Sequence, residues 1–240
     1  MNIGIFDSGV GGLVIARAVR NMMPQYDYIY LGDTKNLPYG NKSQEQIYQN
    51  TIKALEDLFK NDCLIVIVAC NSASSKALRK IQQEYLPKSI FKDRKVLGVI
   101  RPTVECVGKS KKIGLIGTVR TIDSTAYTQE LKKIDKNIKL FSLATPKLVP
   151  MIESGRYDEK VLKNYLEVFK DIDIFILGCT HYGVLKKKIE KILGSKVKVL
   201  AQEEIIPQKL KDYFKRHKEI TSNLSRGRKM QILVTKKTLS

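Results

Sequence analysis

The chain has 240 residues, 43 Lys or Arg against 24 Asp or Glu, for a formal net charge of +19. With 43% apolar and 28% charged residues it falls in the globular range, long enough for a substantial core and outside disordered or collagen-like compositions. No apolar run approaches the ~18–20 residues of a membrane span, and the start MNIGIFDSGVGG has neither the basic region nor the cleavage site of a signal peptide, so a soluble, cytoplasmic protein is expected.

Short β-branched apolar runs alternate with helical patterns, which predicts an α/β fold with a largely parallel sheet. Strands are expected at 3–6, 28–31, 64–68, 96–99, 113–116, 139–142, 172–177, 197–200 and 231–234, with helices between them. The helix after Asn41 opens on a capping-box pattern, Ser43 followed by Gln46. Another, near 158–169, carries Val161, Leu162, Tyr165, Leu166 and Phe169 at helical spacing, a core-facing stripe.

The chain also resembles itself. IGIFDSGVGG (3–12) matches IGLIGTVRTI (113–122), and LIVIVACNSAS (64–74) matches IFILGCTHYG (174–183), so Ile3 answers to Ile113 and Cys70 to Cys179. Two α/β halves on one plan are expected, with a thiol at the equivalent place in each. The polar stretch 87–95 reads as the linker. Residues 1–95 with 205–240 form the first half, and 96–204 the second, the last helix and strand returning to the first.

Four cysteines without a CxxC pair do not make a disulfide scaffold, and with only His181 and His217 no zinc-ligand spacing exists, so no metal is expected. The lysines recur on helical stretches as solvated faces; such charge supports at most non-specific binding to nucleic acid, for which no motif is present.

In an open α/β sheet, ligands bind beyond the carboxyl ends of the strands. Asp7-Ser8-Gly9, Gly32-Asp33, Cys70-Asn71-Ser72 and Cys179-Thr180-His181 all fall there. A thiolate at a helix N-terminus is stabilised by the local positive potential, which singles out Cys70 and Cys179; Cys63 and Cys106 read as small hydrophobes. The turn DSGVGG lacks the Lys-Ser/Thr of a phosphate-binding loop, and Asp7 at its mouth would repel a phosphate. His181 reads as an acid/base partner of Cys179. Two thiols on facing halves suit removal of a proton from one side of a carbon and delivery to the other, which inverts a stereocentre without a cofactor. Acyl transfer would use one Cys, one His and an oxyanion hole instead.

The strings FDSGVGGL, YLGDTKNLPYGNKS, VIVACNSAS, IGLIGT and LGCTHYGVL stand in the order and strand context of glutamate racemases, and the resemblance covers roughly the first 195 residues. It implies two pseudo-symmetric parallel-sheet domains of the aspartate/glutamate racemase type, with the active site in the cleft between them. Cys70 and Cys179 would be the acid/base pair, assisted by Asp7 and His181. Asp7, Ser8, Tyr39, Gly40, Asn71, Ser72, Thr180 and His181 would hold the substrate, with Asp33 and Glu153 as auxiliary carboxylates. The implied enzyme is a cytoplasmic homodimer that needs no cofactor and supplies D-glutamate for peptidoglycan precursors. CTH at the second cysteine resembles the glutamate branch; racemisation of aspartate or another small acid is the alternative, and a basic nucleic-acid-binding protein is the alternative of another class. Three places depart from the family pattern: Ser72 stands for the usual Thr, Arg101 for the usual Glu, and LAQEEI (200–205) for a Ser-Gly segment.

Overall fold

A computed structural model describes residues 1–235. The first half runs β1 (Asn2–Asp7), α1 (Leu13–Met22), β2 (Tyr28–Gly32), α2 (Gln44–Lys60), β3 (Cys63–Val68), α3 (Asn71–Lys76), α4 (Leu78–Lys80) and β4 (Lys95–Gly98). After α5 (Ile100–Val104), the second half runs β5 (Lys112–Gly117), α6 (Val119–Asp123), α7 (Ala126–Ile134), β6 (Lys139–Ala144), α8 (Leu148–Glu153), α9 (Glu159–Leu166), β7 (Ile174–Gly178), α10 (Lys186–Leu193) and β8 (Lys198–Leu200). The chain then returns through α11 (Gln202–Arg216) and α12 (Lys218–Thr221) to β9 (Met230–Val234). All nine expected strands form. At the start of α2, Ser43 Oγ accepts from Gln46 N at 3.2 Å and Gln46 Oε1 from Ser43 N at 3.0 Å, the reciprocal cap that the sequence predicts.

Both sheets are wholly parallel, ordered β4-β3-β1-β2-β9 and β6-β5-β7-β8. Read from the other edge, the second sheet repeats the first without β9. The register repeats too: Ile3 pairs with Ile65, and Ile113 with Ile174. Each cysteine of interest therefore leaves its sheet at the same height and beside the same neighbour strand.

The inner strands β1, β2, β3, β5 and β7 bury both faces, as parallel sheets covered by helices must. In the first half Ile3, Ile5, Tyr28, Tyr30, Ile65 and Ile67 face the core with α1 and α11, while Phe6, Ile29, Leu31, Val66 and Val68 face α2. The boundary expected at 95/96 falls inside β4, because Val96 belongs to the first core and β4 pairs with β3. The polar stretch before it is a surface segment of the first half rather than a linker. Side chains change cores between Val99 and Ile100, and change back between Ile205 and Ile206.

Lys187, Lys188, Lys191, Lys211, Lys215 and Lys218 are exposed, so the basic excess on these helices is solvated. Among the described residues no helix is long and apolar enough to cross a membrane. Nor does any group of three or more His, Cys, Asp or Glu there have a metal-holding arrangement.

Candidate active site

The loops after β1, β3, β5 and β7 converge on a cavity of about 150 Å³. Cys70 immediately precedes α3, and Cys179 immediately precedes the 3-10 turn Thr180–Leu185, so each thiol sits where a strand hands over to a helical N-terminus. Both thiols line this cavity, one from each half. Ser8, Tyr39, Gly40, Asn71, Ser72, Glu153, Thr180 and His181 line it with them.

Asp7 and Asp33 stand behind the wall. Asp7 is fully buried; its Oδ2 accepts from the Gly9 and Gly12 amides at 3.2 and 3.0 Å, and its Oδ1 from the Thr180 hydroxyl at 3.3 Å. The small-residue turn thus wraps its own carboxylate where a phosphate-binding loop would wrap a ligand. It has no room for side chains: a Cβ on Gly11 would lie 2.7 Å from the His181 ring, and one on Gly12 would lie 2.6 Å from Asp7 Cβ. Asp33 accepts from Tyr39 OH and Thr235 Oγ1, both at 2.7 Å, and from Asn36 Nδ2. Its carboxylate therefore orients Tyr39, and Tyr39 meets the cavity with its hydroxyl already engaged.

Around each thiol the partners differ. Cys70 Sγ–H donates to Ser8 Oγ at 3.3 Å. Burial, and then the Asp7 charge, push this thiol up to about 11. Cys179 Sγ lies 3.7 Å from His181 Nδ1, and His181 Nε2 lies 3.0 Å from Glu153 Oε1, within ion-pair reach although not aligned as a hydrogen bond. Burial also pushes Cys179 well above the ordinary thiol range. Burial raises Asp7 as well, against the opposing pull of His181 and the two backbone amides. Both thiols thus rest protonated, and burial shifts the Asp7 carboxyl in the same direction, toward its protonated form.

Contacts between the halves inside the site include two that tie its two walls together. Thr180 reaches Asp7, and Ser72 Oγ lies 2.9 Å from Thr118 Oγ1. Thr118 also caps α6 through Thr121 N. Sequence reasoning missed Thr118 and Thr145, which both line the cavity. The internal repeat contains the signal for Thr118, since it answers to Ser8. The sheets do the same for Thr145 and Asp33, each of which follows the strand residue paired with the end of β1 or β5.

A larger cavity, about 560 Å³, opens between α4, α5, α7 and α11. It contains no cysteine, and its carboxylates Glu105 and Glu130 are held in ion pairs with Arg79, Arg101, Lys133 and Lys209. Arg101, one of the departures from the family pattern, belongs to this groove and not to the thiol site.

The profile of the Asp/Glu/hydantoin racemase family matches residues 14–205. A glutamate racemase of Aquifex pyrophilus is 41% identical over 223 residues, covering 90% of this chain and 84% of its own. Two solved structures superpose closely. Glutamate racemase from Francisella tularensis in complex with D-glutamate has a TM-score of 0.88 and 34% identity, covering 99% of this chain and 89% of that one. Isoform RacE1 from Bacillus anthracis has a TM-score of 0.87 and 32% identity, covering 98% and 89%. The chain belongs to the Asp/Glu/hydantoin racemase family. Its relatives at this level of identity are glutamate racemases, and it is an isomerase, an amino-acid racemase.

Proposed function

We propose that the chain interconverts L- and D-glutamate by two-thiol proton transfer, without a cofactor, and that in the cell it supplies D-glutamate for peptidoglycan precursors. The observation that carries this reading is the pair of thiols, Cys70 and Cys179, entering one cavity from register-equivalent positions of two halves.

On the first side, Asp7 accepts the Cys70 proton as substrate settles against both. On the second side, Cys179 passes its proton to His181 Nδ1, and Glu153 beside Nε2 stabilises the imidazolium. The thiolate so formed removes the α-proton, leaving the electron pair on the α-carbon and carboxylate. The opposite thiol returns a proton to the other face. The reverse reaction exchanges the two roles, so each enantiomer has its own base. Ser72, Thr118, Thr180 and the Asn71 amide offer hydrogen bonds to the carboxylates, and the small cavity excludes the water that would compete for the carbanion.

Racemisation of L- and D-glutamate and of aspartate, followed by circular dichroism, tests the activity and the substrate together. At least a hundredfold preference in kcat/KM for glutamate is expected, and equal rates on aspartate would overturn the glutamate assignment. Cys70→Ser and Cys179→Ser should each abolish racemisation, because a serine hydroxyl is too weak an acid to supply the base. Each variant should still eliminate HCl from a β-chloro analogue of one enantiomer, and the two variants should prefer opposite enantiomers. A shared preference would refute the two-thiol mechanism.

A further inference from the structure

Next to the cavity, where α3, α5, α7 and α11 begin or meet, lies a buried polar cluster for which the proposed proton transfers have no use. Gln202, Asn71, Thr103 and Tyr127 are all at most 2% exposed. Asn71 Nδ2 donates to Gln202 Oε1 at 2.7 Å, and Gln202 Nε2 donates back to Asn71 Oδ1 at 3.0 Å, so the two carboxamides are reciprocally paired. Tyr127 OH donates to the same Oδ1 at 2.8 Å. Gln202 Nε2 also lies 3.2 Å from Tyr127 OH and 3.4 Å from Thr103 Oγ1.

The direction of every bond in this cluster follows from one backbone carbonyl. Thr103 Oγ1–H donates to Val99 O at 2.7 Å, and a carbonyl can only accept. The Thr103 hydroxyl can then only accept from Gln202, which turns the Gln202 NH₂ toward Thr103 and Asn71 Oδ1. Asn71 Oδ1 is satisfied by two donors, and one of its Nδ2 protons is given to Gln202. What Asn71 has left to offer the cavity it lines is an N–H. Without Gln202, its carboxamide could present oxygen as readily as nitrogen.

We propose that Gln202 is a positioning residue that fixes the Asn71 carboxamide as a hydrogen-bond donor toward a carboxylate of the substrate. The inference rests on the racemase reading of the site. It also assigns a task to LAQEEI, the segment where this chain departs from its family's pattern: its Gln at the first position of α11 locks the residue that follows Cys70.

Steady-state racemisation kinetics on Gln202→Met, Gln202→Glu, Asn71→Ala and the corresponding double variants test it. Met removes the donor at similar volume, and Glu keeps the shape but loses the NH₂ and, as a carboxylate, can only accept. Each is expected to raise KM for glutamate at least tenfold while kcat stays within threefold. In the Asn71→Ala background neither should change KM further, because Gln202 acts through Asn71; a merely structural residue would give effects that multiply. A KM within twofold of the parent, multiplying effects, or failure of both Gln202 variants to fold would overturn the proposal. Calorimetric Kd for D-glutamate, with Cys70→Ser added to each chain to stop racemisation, reads the same ratio without turnover. A parent chain that binds glutamate but does not racemise it would sink the racemase reading and still decide this one. A parent that neither binds nor racemises it would overturn both.

Discussion

Asp7→Asn should stabilise the protein and disable it at once. The carboxylate is fully buried and accepts three hydrogen bonds, from Gly9 N, Gly12 N and Thr180 Oγ1. An asparagine can keep all three: its oxygen takes the two amides, and its NH₂ donates to Thr180, whose hydroxyl turns from donor to acceptor. Exchanging charge-assisted for neutral bonds loses about 1 kcal/mol each. Against this, the substitution removes the desolvation penalty of a buried ion, several kcal/mol. The net gain is about 1–2 kcal/mol, or a Tm rise of roughly 2–8 °C for a chain of this size. The size of the gain depends on pH. Burial raises the folded pKa of Asp7 above its ordinary 3.8, so its contribution to stability is present below that value and is lost as pH rises through the folded pKa. The gain from Asn should therefore appear at pH 7 and shrink toward zero near pH 4. Meanwhile kcat/KM should fall by about 10²–10⁴, the usual contribution of a positioned acid/base group. Scanning calorimetry at both pH values, together with racemisation followed by circular dichroism, checks both halves. A lower Tm at pH 7, or activity within tenfold of the parent, would refute the reasoning.

Three further outcomes are expected. Ser72→Ala should raise KM for glutamate by an amount worth about 1–3 kcal/mol, because it deletes a cavity hydroxyl that also bridges to Thr118; Ser72→Thr should keep or improve activity, and an unchanged KM in Ser72→Ala would remove Ser72 from the site. Gly11→Ala should cut activity at least tenfold with little loss of secondary structure by circular dichroism, since the new methyl would lie 2.7 Å from the His181 ring. Stability should fall between pH 9 and pH 11. Cys70 and Cys63 are raised to about 11 and about 12, so their contributions are full below the ordinary 9.0 and are lost as pH rises through the folded values, each by up to about 1.4 kcal/mol per pH unit. Urea denaturation at pH 8 and pH 10.5 measures this, with Cys63→Ala expected to flatten the slope.

The inner strands were readable because they are short apolar runs, most of them rich in β-branched residues, bounded by turn residues, and that local pattern is what a strand buried on both faces requires. The paired thiols were readable for a related reason: the register of a parallel sheet carries a sequence repeat into space, so equal offsets along the chain became equal heights at the cleft. The family motifs named the cavity-lining residues for the same cause, since the lining follows directly from the strand ends. The polar stretch 87–95 misled, because composition distinguishes surface from core but not a surface loop from a domain junction; the junction at Val99 and Ile100 is set by which core each side chain enters. Asp33 carries the same carboxylate as Asp7, yet only the fold decides that it holds Tyr39 from behind the wall. Gln202 looked like one more polar residue in a charged segment. Its meaning depends on Asn71, Thr103 and Tyr127, which lie far from it along the chain and meet it only where the helices converge. By itself the sequence determined the elements, the repetition of one plan in two halves and the two thiols that this repetition sets in equivalent places, all of which rest on local periodicity and repetition. Only the tertiary structure decided which way each buried donor and acceptor faces, because a hydrogen bond's direction is set by partners that local sequence does not contain.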